Sequence, residues 1–311
     1  MSTTESNDIL ALQDCLKDST VSGPWRLTVW EKEGHPPSYI FSEEHASDGS
    51  CPNQRGISET LRDILANTNK TEVFIEHFIH AEDITNPKKS EQAACSSQTT
   101  SILNGLRLCL EVVRLTRAEH SGRIHFCDPR CDIVSVMPDG KVYEAIEQHV
   151  RRLSREDNIP DALLTIYEAF IHPLLSVVPD SKIMLGRFSG AIKEARQQMT
   201  AHQLSFFDEM WQADVVASIK NLTLTYSAMH KSNNVTNIDD FMKQYTRTIN
   251  KFMDTWLLAK MFHSENNGMS SSVLYLGSLH SLNIEKYLGL HGYSRVSIHE
   301  NEKMAACLKI R

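Results

Sequence analysis

Short apolar segments with strand character alternate with amphipathic helical segments through about residue 130 of this chain. Two strand signals, Arg26–Glu31 and Ser38–Ser42, flank a Gly-His-Pro-Pro turn. The helical segment ISETLRDILANT follows, then the strand signal VFIEH, the helical segment SILNGLRLCLEVVRLTRAEH and the strand signal GRIHFCDPR. Because parallel strands need long crossover connections, usually helices, this alternation predicts an α/β fold with a mainly parallel β-sheet flanked by helices.

The pattern changes between about residues 141 and 263, where the segments have the apolar periodicity of helices. Strand character returns in SSVLYLGSLH, and a helical segment and a last strand signal, RVSIHE, follow. We therefore predict a single α/β domain over residues 1–311, with its core in residues 25–135 and 270–311. The large all-helical insertion, about 141–263, precedes the last core strands and is expected to cover or flank the mouth of a site.

Charge and composition exclude several classes of function. The formal net charge is −7 and no dense Lys/Arg cluster occurs, so we expect no nucleic-acid partner. No apolar run approaches the roughly 20 residues of a membrane-spanning helix, and the polar first residues do not resemble a secretory signal. Seven irregularly spaced cysteines indicate reduced thiols, and hence a cytoplasmic protein. The oligomeric state is not specified.

Ionisable side chains lie in or just after the carboxyl-terminal part of each of the four proposed core strands. Ligands of open parallel sheets bind outside the carboxyl ends of the strands. Any one of these residues alone is more often a helix cap, a solvated loop residue or a satisfied core histidine. Four coincident strand ends favour a shared site. The residues are Glu43, Glu44 and His45 on the first strand, Glu76 and His77 on the second, His125, Asp128 and Arg130 on the third, and Gly277, Ser278 and His280 on the last.

The order of these motifs resembles the erythromycin esterase/ChaN/TIKI superfamily over about residues 36–293. Its first motif, of the type Gly-Glu-x-His, corresponds to Ser42-Glu43-Glu44-His45, with serine in place of glycine. Its second strand ends in a glutamate, here Glu76, and its last ends in a Gly-x-x-His motif, here Gly277 to His280. The segment RIHFCDPRCD is similar to a His-x-x-Asp-x-Arg element in uncharacterised proteins of large DNA viruses. The resemblance implies a viral protein of the host cytoplasm or the virion.

The superfamily includes hydrolases of esters and peptides and a haem-binding branch, so the leading hypothesis is a hydrolase of a small-molecule or peptide substrate. His45 would be the general base that activates water, and His280 a second acid or base. Glu43 and Glu76 would orient His45. Arg130 would stabilise an oxyanion or bind an anionic group, and Asp128 would fix its orientation.

Two questions stay open at this level. Glu43, His45, Glu76 and His280 are also candidate ligands of a divalent metal, zinc or manganese, and the sequence does not decide between metal-dependent and metal-free action. The rival class is a non-enzymatic viral binding or virion-associated protein that retains the fold. A third possibility is haem ligation by a histidine or tyrosine of the cleft.

Ser278 is a conceivable nucleophile, but a small residue at a tight strand exit explains it better. His77 is expected to support the site from the opposite side of its strand.

Overall fold

A computed structural model describes residues 3–43, 55–76, 121–127, 140–175, 187–301 and 307–310. The chain divides into two compact units. The first comprises Met1–Cys127 and Lys260–Arg311, and the second comprises Asp128–Ala259. The single-domain prediction, with the helical section flanking the site, stays a prediction.

The first unit contains a six-stranded mixed sheet. Its strands are β2 (Arg26–Glu31), β3 (Ser38–Glu43), β5 (Thr71–Ile75), β6 (Ile124–Phe126), β7 (Ser271–Gly277) and β8 (Ser294–Glu300). Their order across the sheet is β6-β5-β7-β3-β2-β8. The pairs β6–β5, β5–β7 and β7–β3 are parallel, whereas β2 is antiparallel to both β3 and β8. The predicted fold class is confirmed: a mainly parallel sheet flanked by helices, with a helical region later in the chain.

The central strands are buried on both faces. Every residue of β3 and β7 is buried, which is the expected pattern for parallel strands covered by helices on both sides. Two of their serines form a hydrogen bond between the strands, in which Ser272 Oγ donates to Ser38 Oγ at 2.8 Å. A buried polar group that keeps a hydrogen bond avoids most of its desolvation cost, so polar residues are tolerated here.

Two helices cover one face of this sheet, α1 (Thr3–Leu16) and α2 (Ile57–Asn67). The apolar face that the sequence predicts for α2 is the buried one: Ile57, Leu61, Ile64 and Leu65 are fully buried. They pack in one core cluster with Phe41, Ile75 and Tyr275 of the sheet and with Leu12 of α1.

The carboxylate of Asp8 links α1 to residues next to the sheet through hydrogen bonds. It is 3% exposed, and it accepts hydrogen bonds from the backbone amides of Asn69 and Lys70 and from the hydroxyl of Ser270.

Three very short strands, β1 (Thr20–Ser22), β4 (Arg55–Gly56) and β9 (Cys307–Lys309), form a second sheet of order β4-β1-β9.

Helix α10 (Ser278–Leu290) follows β7 and covers the opposite face. Glu285 of this helix forms a buried, bidentate ion pair with Arg26 of β2, with nitrogen–oxygen distances of 2.8 and 2.9 Å. Thr28 donates a further hydrogen bond of 2.9 Å to the same carboxylate. Helix and sheet are therefore joined by a satisfied polar contact as well as by apolar packing.

All the regular secondary structure among the described residues of the second unit is helical. Its interior contains an aromatic cluster in which Trp211 stacks on Phe207 and meets Phe252 edge-on, with centroid separations of 5.9 and 5.6 Å. Two π-helical turns, Tyr167–Ile171 and Trp211–Val216, interrupt otherwise regular helices. The helices are α3 (Gly140–Arg155), α4 (Ile159–Ile166), α5 (His172–Leu175), α6 (Arg187–Gln198), α7 (Ala201–Met210), α8 (Ala217–Ser232) and α9 (Ile238–Asn266), the last extending past Ala259. No helix in the described ranges is both long and apolar enough to cross a membrane.

Candidate functional site

The carboxyl ends of β5, β7 and β3 lie side by side. Glu43 is level with Gly277 in the parallel pair β3–β7, and Ile75 is level with Tyr275 in the pair β5–β7. Glu76, directly after β5, therefore lies at the same edge, where its own backbone amide donates to the carbonyl of Tyr275 at 3.1 Å. The topology thus brings three of the predicted site residues, Glu43, Glu76 and His280, to one edge of the sheet.

Glu76 and His280 form a pair at this edge. One carboxylate oxygen of Glu76 accepts the backbone N–H of Gly277 at 2.5 Å, and the other lies 3.4 Å from Nε2 of His280. The side chains are 12% and 9% exposed, respectively. Gly277 is the residue before the first turn of α10, so the carboxylate also lies at the positive end of that helix. The arrangement holds a carboxylate in a fixed position next to an imidazole.

Glu43 makes a different contact. Its carboxylate accepts a hydrogen bond from the hydroxyl of Tyr275, and Glu43 is 5% exposed. Tyr275 belongs to the core cluster beneath α1 and α2, whereas His280 belongs to α10. Glu43 therefore lies on the α2 face of this edge, with Tyr275. Glu76 directly follows Ile75, which packs on the α2 face. Because successive residues of a strand face opposite sides, Glu76 lies on the α10 face of the same edge.

Hydroxyl groups fix the exit of β7 into α10. Ser278 donates to the backbone carbonyl of Glu43 at 2.8 Å and accepts from the indole N–H of Trp25 at 3.0 Å. Ser42, which is fully buried, donates to Ser281 at 2.8 Å, and Ser281 in turn donates to the carbonyl of Ser278. Ser42, where the resembled family has glycine, thus hydrogen-bonds to the first turn of α10.

His125 does not join this edge. It lies within β6, where its Nε2 is 2.5 Å from the carboxylate of Glu72 and its ring stacks on Phe74 at a centroid distance of 4.7 Å. Burial opposes ionisation of Glu72, but hydrogen bonds from His125 and Ser264 outweigh it and lower the pKa of this carboxyl. His125 is therefore a partnered histidine within the sheet, and Glu72 is a partner that the sequence pattern did not reveal.

The remaining predicted residues, Glu44, His45, His77, Asp128 and Arg130, lie outside the described residues. Their proposed roles stay predictions. Within the ranges that the structure describes, no three His, Cys, Asp or Glu side chains form a group that could hold a metal ion. Glu43, Glu76 and His280 therefore do not make a metal site by themselves.

A cavity of about 300 Å³ lies at the opposite, amino-terminal edge, where β3 and β7 begin. It is lined by residues 34–36 before β3, by Glu265 and Asn266 at the end of α9, and by residues 268–270 before β7. Nδ1 of His35 is 2.5 Å from the Glu265 carboxylate. Burial, and secondarily Glu265, raise the pKa of the adjacent Tyr293. His35 stands in the turn before its strand and not after the strand, so it is outside the strand-end pattern by which the candidate residues were selected.

No protein-family model, curated protein or solved structure matches this chain. The functional assignment therefore depends on the residues and their geometry.

Proposed function

We propose that this protein is a hydrolase of ester or peptide bonds, in which Glu76 and His280 supply general acid–base catalysis at the carboxyl edge of the sheet. The observation that carries the proposal is the fixed carboxylate–imidazole pair: Glu76 accepts the Gly277 amide at 2.5 Å, and its other carboxylate oxygen lies 3.4 Å from Nε2 of His280. Such a pair is the usual means of orienting a histidine for proton transfer.

The chemistry follows from the properties of imidazole. A neutral histidine accepts a proton from water near neutral pH, and the resulting hydroxide attacks the substrate carbonyl carbon. The adjacent Glu76 carboxylate stabilises the imidazolium that forms. His280 then returns the proton to the departing alcohol or amine.

Glu43 has a supporting role in this proposal. Its carboxylate hydrogen-bonds to Tyr275 on the α2 face, so it stabilises the strand end that carries the site. Ser278 is already hydrogen-bonded to Trp25 and to the carbonyl of Glu43. Both bonds support a structural role for Ser278 over a role as nucleophile, and favour direct attack by water.

The resemblance to the erythromycin esterase/ChaN/TIKI superfamily supports the same reaction class. In that comparison His45 is the general base and His280 a second acid or base, Arg130 binds the oxyanion or an anionic substrate group, and Asp128 orients Arg130. The likeness of the RIHFCDPRCD segment to proteins of large DNA viruses supports a viral origin. These assignments belong to the proposal together with the Glu76–His280 pair.

A metal-dependent variant of the reaction would need more ligands than the described residues provide. Glu43, Glu76 and His280 do not form a group of three that could hold an ion within the described ranges. His45, the other predicted ligand, lies outside the described residues. In this proposal water activation is assigned to histidine.

The test is turnover on a panel of chromogenic esters and short peptides, measured for the unaltered protein and for three variants. His280→Gln and His45→Ala remove the two candidate bases. His263→Gln is the matched control, because His263 is an exposed histidine at the end of α9. We expect His280→Gln to lose at least about 100-fold in kcat/KM, in the usual range for loss of a general base. The control should keep full activity.

The same panel separates the proposal from its rivals. If only His45→Ala abolishes turnover and His280→Gln does not, the general base is His45 and the role assigned to His280 is wrong. Retention of a panel compound without turnover would identify a binding protein. An absorption band near the haem Soret region after haem addition would identify the haem-binding alternative.

A further inference from the structure

The cavity of about 300 Å³ at the amino-terminal edge of the sheet has no part in the proposed hydrolysis, which takes place at the opposite edge. Its volume is at the lower end of the range of small-molecule sites in proteins. Its wall consists of residues 34–36, 265–266 and 268–270, which all belong to the first unit. The charges and hydrogen bonds of this wall indicate which kind of small molecule it fits.

His35 is held in one orientation in the wall of this cavity. Its Nδ1 is 2.5 Å from a carboxylate oxygen of Glu265, and its ring contacts the rings of His291 and Tyr293 at centroid distances of 5.9 Å each. No described residue forms a hydrogen bond with the other ring nitrogen, Nε2. The side chain is 24% exposed. A neutral imidazole that donates from Nδ1 to a carboxylate is a hydrogen-bond acceptor at Nε2.

The hydrogen-bond donors of the wall are largely used within the protein. Four of its backbone amides, those of residues 35 and 268–270, donate to carbonyl oxygens of the chain at 2.9 to 3.1 Å. The hydroxyl of Ser270 donates to Asp8, and Pro36 has no amide hydrogen. Neither lysine nor arginine is among the described residues of the wall. The wall therefore offers a ligand mainly acceptors.

The acceptors of the wall lie in a region of negative potential. Glu265 supplies a carboxylate, which has lone pairs for more than one donor besides His35. The wall also includes the last two residues of α9, a 29-residue helix, and the carboxyl end of a helix carries partial negative charge. Lys32 is attracted by Glu265, but its ammonium donates to the carbonyl of His291 at 2.9 Å and it is not part of the wall. This wall fits a ligand that donates hydrogen bonds and is positively charged.

We propose that this cavity binds a small organic cation with a primary ammonium group. Such a group has three N–H donors, so it serves the Glu265 carboxylate and Nε2 of His35 together. Its alkyl part packs on Met269 and Pro36, the apolar residues of the wall. A metal ion is a poorer match, because the described residues include no group of three His, Cys, Asp or Glu side chains that could hold one.

The first test uses n-butylammonium, n-butanol and butyrate, three probes that share an alkyl chain and differ in charge. Each is titrated into the unaltered full chain with isotope-labelled methionine methyl groups, observed by NMR. Butylammonium should move the resonance of Met269, assigned with Met269→Leu, and leave that of Met253, which is buried in the second unit. Butanol should bind at least about tenfold more weakly, because it lacks the charge-assisted hydrogen bonds. An unmoved Met269 resonance, or binding of butyrate as tight as that of butylammonium, overturns the proposal.

The second test removes the charge of the wall. Glu265→Gln keeps the shape of the side chain and should raise the dissociation constant of n-butylammonium at least about tenfold. Glu209→Gln is the matched control, since Glu209 is an exposed glutamate of the second unit; it should leave the constant unchanged. Melting curves verify that both variants fold, and the titration of the unaltered chain decides by itself if Glu265→Gln does not. Unchanged binding by folded Glu265→Gln, or an equal loss in the control, overturns the proposal.

The cation site and the hydrolytic site can be tested separately, because they lie at opposite edges of the sheet. Glu265→Gln should hydrolyse the ester and peptide panel at the rate of the unaltered protein, and His280→Gln should bind n-butylammonium with the unaltered constant. Loss of butylammonium binding in His280→Gln would place the cation at the carboxyl edge and overturn the proposal. Absence of hydrolysis would leave the cation site intact and count against the proposed function alone.

Discussion

Nε2 of His280 lies 3.4 Å from Oε1 of Glu76, and the other oxygen of the same carboxylate accepts the Gly277 amide at 2.5 Å. The two residues are far apart in the sequence and meet because β5 and β7 are parallel neighbours. Glu76 therefore has two functions. In the proposed mechanism it orients an imidazole, and in the fold it satisfies a backbone donor at the start of α10.

Substitutions of Glu76 should separate these two functions. Glu76→Gln keeps an acceptor for the Gly277 amide and loses only the charge near the helix start, a cost of about 0.5–1 kcal/mol in unfolding free energy. Glu76→Ala also removes the acceptor and should cost about 1–3 kcal/mol. Urea unfolding of the two variants measures the difference. Equal stability of both variants would show that the amide contact contributes nothing.

The Glu43–Tyr275 contact should contribute to stability, because both residues are at most 5% exposed. Tyr275→Phe removes a donor from a buried carboxylate, and we expect a loss of about 1–3 kcal/mol in unfolding free energy. Combining it with Glu43→Gln in a double-mutant cycle isolates the coupling between the two side chains. Strictly additive effects would rule out the coupling.

The buried ion pair between Arg26 and Glu285 should be sensitive to removal of one partner. Their side chains are 6% and 7% exposed, so Glu285→Ala leaves the guanidinium without its two-pronged partner and should cost about 3–5 kcal/mol. The double variant Arg26→Met/Glu285→Leu should recover much of this loss, since no buried charge then remains. Thermal or urea unfolding measures both. A double variant as unstable as the single one would contradict this account.

Acidification should weaken the first unit through Glu72. The pKa of Glu72 in the folded protein is below its ordinary value of 4.5. The unfolded state therefore binds the proton more readily, and the stabilisation is present above the ordinary pKa and is lost as the pH falls through the folded pKa. The free energy of unfolding should be measured from pH 6 down to roughly two pH units below that ordinary value. Over this range it should fall less steeply for Glu72→Gln than for the unaltered protein. Parallel curves would show that Glu72 has no such role.

Local sequence patterns predicted the strands and the helix faces well. Arg26–Glu31 is a strand as expected, and the four apolar residues predicted on one face of α2 are its buried face. Periodicity of two or of 3.6 residues follows from the local backbone, so it can be read from a short segment. The same reasoning predicted that Glu43, Glu76 and the Gly277–His280 segment share an edge.

Contacts between distant segments were not predictable in the same way. Nothing near Glu72 indicates His125, and nothing near Arg26 indicates Glu285, because each pair depends on strand order and register. The placement of Glu43 on one face of the sheet edge and of Glu76 on the other has the same cause. Glu43 and Glu76 each end an apolar strand, but the register of both strands with β7 decides that one meets Tyr275 and the other His280.

The most direct test of the central claim is kcat/KM for the best substrate of the panel, compared between the unaltered protein and His280→Gln at equal concentrations of folded protein. The account predicts a loss of at least about 100-fold with an almost unchanged melting temperature, and a comparable loss for Glu76→Gln. Full activity of His280→Gln, or a loss that merely follows the fraction of unfolded protein, would contradict it.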